Sequence, residues 1–202
     1  MKKSYLKIIG MALAAVMSMG MIAGCGSAPK SDNTTDNNTK NTATQSDIQT
    51  AQAGKLIMGT NAAFPPFEYV TSKGLVGEYD GIDVAIAKKI AEDMNVELVI
   101  EDMEFEGLIA SVQTGKVDLV IAGMTVKPER QEKVDFSDTY FTAEQSIVVA
   151  KDNTDITKAD DLKNNKKVGV VLGYTGDSIV TETLQVAENN ILRVSRGIDA
   201  VQ

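Results

Sequence analysis

The chain has no histidine, no tryptophan and one cysteine, Cys25, in 202 residues. An internal disulfide is therefore impossible. A zinc centre of the usual Cys/His kind and a Ser–His or Cys–His catalytic pair are excluded as well. So is a histidine switch near neutral pH. Aromatic residues make up only 5% of the chain, and no basic run occurs among its 20 lysines and arginines, which are outnumbered by 28 acids. That balance argues against a nucleic-acid partner.

The first 24 residues contain no acid. Lys2, Lys3 and Lys7 precede the apolar run "IIGMALAAVMSMGMIAGC", the layout of a secretory signal peptide. Gly10, Gly20 and Gly24 weigh against a spanning helix. Without this leader the chain holds 17 basic against 28 acidic residues, a net charge of −11. Residues 25–53 are rich in Asn, Thr, Asp and Ser and nearly lack large apolar side chains. Such a segment cannot offset chain entropy by burial and is expected to be a disordered linker.

From Gly54 onward strands and helices alternate. "KLIMGT" (55–60) reads as a buried strand and residues 67–79 as a hairpin turning near Ser72 to Gly74, with Phe67 and Tyr69 in its core. Residues 81–94 place Ile82, Ile86 and Ile90 at helical spacing, and Asn95 is a suitable stop. "VELVI" (96–100), "VDLVIAG" (117–123), "QSIVVA" (145–150), "KVGVVLG" (167–173) and "ILRV" (191–194) are expected strands. Helices are expected at 105–115, 128–134, 158–165, 176–185 and from Gly197. Strands separated by helices of this size imply a parallel-type α/β sheet.

Two stretches carry anion chemistry. In "AGMTVKPER" a strand end leads to Pro128, suited to the first helical position. Arg130 then falls in the first helical turn, where the macrodipole disfavours a cation. A guanidinium beside the Thr125 hydroxyl and a helix N-terminus fits a carboxylate ligand. On spacing alone, pairing of Arg130 with Glu129, Glu132 or Asp135 is an equal alternative. In "LGYTGDS" (172–178) a strand meets a Gly-flanked turn and a helix start. There Thr175 or Asp177 suits a plain N-cap as readily as an anion site. The run "EDMEFE" (101–106) reads as a solvated helix start rather than paired catalytic acids, and "GEYDG" as turn chemistry rather than a calcium loop.

Several of these motifs together resemble the bacterial extracellular solute-binding proteins of family 3, which serve ABC importers of polar amino acids. They are "GTNAAFPPFEY" (59–69), "GLVGEYDGIDVAIAKKIA" (74–91), "FEGLIASVQTGKVDLVIAGMTVKPER" (105–130), "VDFSDTYF" (134–141), "DLKNNKKVGVVLGYTGD" (161–177) and "RGIDAVQ" (196–202). The resemblance implies a two-lobe, periplasmic-binding-protein-like (type II) α/β fold with a hinge. Lobe 1 would span 54–150, with a crossing near Ala150 and Lys151 into an incomplete lobe 2 over 151–202. In the family, lobe 2 runs on and the chain returns to lobe 1. A strand absent from these residues carries an acid that pairs with the ligand's α-ammonium.

The same resemblance assigns the ligand's carboxylate to Thr125, Arg130 and Thr175, and its ammonium to the Gly123 carbonyl. Phe64 and Phe105 would sandwich the ligand, with Asn61 and Val171 lining the pocket. The family usually has Thr or Ser where Lys127 stands. "IAGC" (22–25) resembles a lipobox, which implies cleavage before Cys25 and a lipid on that residue. The implied protein is a monomeric, extracytoplasmic, membrane-anchored receptor that needs no cofactor or metal. It would hand an amino acid to ABC permease subunits. The same scaffold also hosts dehydratases of prephenate-like acids and extracellular sensor domains, so those two readings stay open.

Overall fold

The computed structural model describes residues 49–201. The leader 1–24, the lipidation candidate Cys25 and linker residues 26–48 lie outside the described residues. The linker's last residues are not a free tether. The Ala51 N–H donates to Asp118 Oδ1 at 2.5 Å, and the other oxygen of that carboxylate accepts from the Ile57 N–H.

Strand β1 (Lys55–Thr60) is buried at five of its six positions. It lies between two parallel neighbours, β5 (Glu97–Asp102) and β6 (Leu119–Val120), in the order β5-β1-β6. A strand covered on both sides must be apolar along its whole length, which "LIMG" is. Phe67 and Glu68 sit where a three-stranded antiparallel ribbon begins its return: β2 (Ala63–Phe64), β3 (Glu68–Val70) and β4 (Tyr79–Asp80). Helix α1 (Ile82–Met94) connects the ribbon to β5. It ends at Asn95, whose φ of 54° and N–H bonds to Ala91 and Glu92 carbonyls form the expected left-handed stop.

The face α1 buries differs from the expected one. Val84, Ala87 and Ala91 are buried, whereas Ile82 is 42% exposed. The buried stripe runs through a valine and two alanines, and Ile86 and Ile90 are only half-buried beside it.

A 3₁₀ turn (Phe105–Gly107) and α2 (Leu108–Gln113) carry the chain from β5 to β6, and the short α3 (Pro128–Gln131) follows. The expected strand at 145–150 does not form: these residues pair with no strand among the described residues, and Val148 is 81% exposed. β-propensity needs a neighbouring ladder to act on, and none is supplied there.

Beyond it, β7 (Val168–Val171) and β8 (Ile191–Val194) pair in parallel. They cover a core of Leu162, Val170, Val180, Leu184 and Val186. The expected helices here are shorter: 3₁₀ turns over Ala159–Lys163 and Gly197–Ala200, and α4 (Thr175–Ser178) running into a π turn over Ile179–Thr183. The parallel strands β1, β5, β6 and β7 release the chain at their carboxyl ends, the edge where α/β sheets collect ligands.

Candidate functional site

Residues leaving those strand ends converge. Asn61 follows β1, Phe105 follows β5, Gly123 and Thr125 follow β6, and Gly173 to Thr175 follow β7. Pro128 opens α3 behind an extended Lys127, as its fixed φ favours, and so brings Arg130 back over the β6 exit.

Arg130 is buried, with 8% of its surface exposed. Its Nη1 donates to the Thr125 carbonyl at 2.8 Å and its Nη2 to the Gly173 carbonyl at 3.0 Å. The guanidinium lies 5.3 Å from the centre of the Phe105 ring. Among the described residues it makes no ion pair. Pairing with Glu129, Glu132 or Asp135 is thus not what holds it. Burial lowers its pKa from the usual arginine value, only partly opposed by Glu129. Beside it the Thr175 hydroxyl donates to the Thr125 hydroxyl at 3.0 Å.

The turn carrying Thr175 is braced by the buried Asp177. This carboxylate accepts from the Gly173 N–H at 3.1 Å, from Arg193 Nε at 2.8 Å and from the Thr181 hydroxyl at 3.2 Å. Arg193 also pairs with Glu188. Asp177 therefore holds the turn, but the N-cap of α4 is Tyr174 with no side-chain cap bond, so neither Thr175 nor Asp177 is the plain N-cap that the alternative expected. Val171 is buried at the end of β7, where its carbonyl accepts the Tyr174 N–H at 3.1 Å.

The residue that spacing arguments overlooked is Tyr174. Its ring packs edge-on against Phe105 with centroids 4.4 Å apart, and against Phe64 at 5.9 Å. Its hydroxyl donates to Asn61 Oδ1 at 2.9 Å, while Asn61 Nδ2 donates to the Met103 carbonyl. Burial, then the charges of Glu68 and Glu104, raise the phenol's pKa above the usual tyrosine value. A third aromatic in "LGYTGD", within a chain so poor in aromatics, was the signal available.

Lys127, where hydroxyl residues are usual, does not face solvent. Its ammonium donates to the Ser178 hydroxyl at 2.7 Å and lies 3.8 Å from Glu129, tying the β6 exit to α4. Two open grooves of about 200 Å³ each flank the turn, and Glu106 borders both.

Gly123 has φ of 52°, and a Cβ there would lie 3.1 Å from the Phe64 ring. Its N–H donates to Asp83 Oδ2 at 2.7 Å, and that oxygen also accepts from the Tyr140 hydroxyl at 3.0 Å. Gly123→Ala is expected to lower stability by about 1–2 kcal/mol, from the left-handed backbone and the crowded ring. Urea unfolding of the two chains measures it.

Residues 56–192 match the family described as bacterial extracellular solute-binding proteins, family 3. The arginine-binding extracellular protein ArtP of Bacillus subtilis (strain 168) is 47% identical over 119 residues, covering 59% of this chain and 44% of that one. The glutamine-binding protein of Geobacillus stearothermophilus is 32% identical over 209 residues, 98% of this chain and 77% of that one.

Two solved structures are similar at a TM-score of 0.66. An ancestral arginine-binding protein bound to glutamine is 42% identical, over 75% of this chain and 64% of that one. The arginine-bound, truncated form of ArgBP from T. maritima is 44% identical, over 73% and 67%. The chain spans about half the length of most curated relatives it matches. Its α/β architecture is the two-lobe type II binding-protein fold of those structures. By the match over 56–192, the chain belongs to the bacterial extracellular solute-binding proteins of family 3.

Proposed function

We propose that this chain is the ligand-capturing part of an ABC importer for a polar amino acid, held outside the membrane by a lipid on Cys25 and delivering to permease subunits. One observation carries the reading. Arg130 is a buried guanidinium with two of its five donors on carbonyls, no carboxylate partner among the described residues, and two threonine hydroxyls beside it. Leaving such a charge unpaired costs the fold, and an α-carboxylate supplies the missing partner. The Thr125–Thr175 contact joins residues from the β6 and β7 exits. A carboxylate entering between them parts these hydroxyls and then bridges both sides, the differential contact on which hinge closure depends.

The relatives are named for arginine, histidine, cystine and glutamine. The net charge of −11 and Glu106 on the rim of both grooves favour a cationic ligand. Asn61 offers less toward a neutral amide than its residue type suggests, because Tyr174 and Met103 already engage it.

An enzymatic reading has one point in its favour: the ancestral amino-acid-binding protein AncCDT-1, a precursor of cyclohexadienyl dehydratase, is 40% identical at a TM-score of 0.65. A dehydratase needs a protonated acid open to the cleft. The acid whose pKa is strongly raised here, Glu68, is fully buried. Binding without turnover is the better account.

The test is thermal unfolding with L-arginine, L-histidine, L-glutamine and L-cystine in turn. A ligand at a hundredfold over its Kd stabilises by about 2.7 kcal/mol, roughly 5–10 °C for a chain of this size. A shift with one of the four, and no product from a prephenate-like acid, is the expected result. No shift with any of them would count against the receptor.

A further inference from the structure

The Tyr174 side chain touches three of the residues that the proposed receptor sets around its ligand. Phe64 and Phe105 are the two aromatics that a ligand would lie between, yet the Tyr174 ring meets both, at 5.9 and 4.4 Å. The one side-chain amide assigned to the ligand, Asn61, spends its oxygen on the Tyr174 hydroxyl at 2.9 Å. The two open grooves lie to either side of the turn, and neither is lined by Asn61, Phe64 or Tyr174. The Tyr174 ring is thus in contact with both aromatics.

The turn presents the ring from the opposite sheet. Gly173 has φ of 77°, its N–H is held by Asp177, and its carbonyl is held by Arg130. The carboxylate clamp and the ring thus share one three-residue turn, Gly173 to Thr175. A ligand that takes Arg130 and Thr175 also loosens the support of the ring.

We propose that Tyr174 is a built-in competitor: its phenol ring fills the aromatic slot and its hydroxyl mimics a polar ligand group on Asn61, so that an amino acid with a long polar side chain binds only by displacing it. The proposal rests on the amino-acid-receptor reading. It makes Tyr174 a determinant of affinity and selectivity rather than a contact that adds to binding. When the competent, ring-out state is a minor fraction, apparent affinity falls by that fraction, and removing the ring restores it.

The experiment is calorimetric titration of the full chain and of Tyr174→Ser and Tyr174→Phe with L-arginine and with L-glutamine. The serine variant is expected to bind at least tenfold more tightly than the parent. The phenylalanine variant, which keeps the ring but loses the Asn61 bond, should fall between. A packing role alone would weaken binding or leave it unchanged, so a gain is specific to displacement. If the parent binds but Tyr174→Ser binds equally or less tightly, the competitor is overturned while the receptor stands. If neither chain binds either amino acid, the receptor reading falls and takes this proposal with it.

Discussion

Glu68→Gln is expected to make the protein more stable at pH 8 and to flatten the fall of its stability with rising pH. Glu68 begins β3 and is fully buried, and Asp83 is the side chain that faces its carboxyl group. Burial, and next the negative charge of Asp83, push its pKa up to about 10 from 4.5. Asp83 is buried as well, and its Oδ2 holds the Gly123 N–H and the Tyr140 hydroxyl. Two adjacent ionised carboxylates cannot share a dry site, so Glu68 keeps its proton in the folded chain at neutral pH.

The sign of the effect follows. Between pH 4.5 and 10 the folded state holds a proton that the unfolded state has released. Stability is therefore full below about 4.5 and falls as pH rises toward 10, by up to about 1.4 kcal/mol per pH unit. Glutamine keeps the shape, cannot ionise, and offers an N–H to Asp83. The expected gain at pH 8 is roughly 2–4 kcal/mol, vanishing near pH 4. Urea unfolding at pH 4, 6, 8 and 9.5 measures it. Parallel curves for the two proteins would mean that Glu68 is ionised in the fold.

Sequence patterns read correctly where the cause was local. The unbroken apolar run of β1 announced a strand covered on both sides, Asn95 announced the end of α1, and Pro128 the start of α3. Each depends on its own φ/ψ or on its immediate neighbours. What escaped depends on partners far along the chain. Residues 145–150 have every intrinsic preference for a strand and pair with none among the described residues. The buried stripe of α1 runs through Val84, Ala87 and Ala91 rather than through the isoleucines, a choice of face set by what the helix packs on and not by its own periodicity.

The site shows the same division. Asn61, Phe105, Gly123 and Thr125 leave the carboxyl ends of one parallel sheet, and Thr175 leaves that of the second; Phe64 in the ribbon and Arg130 in α3 meet them there. Strand order sets those ends, and the residue types mark them. Tyr174 and Lys127 could not be placed from their own neighbourhoods. The first reaches Asn61 across 113 positions and the second reaches Ser178 across 51. Glu68 was hidden differently: a glutamate in a hairpin reads as solvated until Asp83 is found facing it.

Arg130→Ala is expected to abolish amino-acid binding while leaving the ligand-free protein as stable as before, or slightly more so. The guanidinium is buried, lies against Phe105, and among the described residues donates to two neutral carbonyls and no carboxylate, so its charge is offset only in part, by Glu129. Removing it loses two charge-assisted bonds but also relieves the desolvation of a cation, and the two effects offset to within about 1 kcal/mol. Binding has no such compensation. A buried, forked contact to a carboxylate is worth about 3–5 kcal/mol, which raises Kd by roughly 10²- to 10³-fold or more. Arg130→Lys should recover little, because an ammonium cannot hold the Thr125 and Gly173 carbonyls and a carboxylate together. Calorimetric titration with L-arginine, paired with ligand-free urea unfolding, separates the two quantities. A variant that binds within fivefold of the parent would remove Arg130 from the clamp. One that loses several kcal/mol of ligand-free stability would make the arginine a structural bolt between the β6 and β7 exits, and its missing carboxylate would need no ligand to explain it.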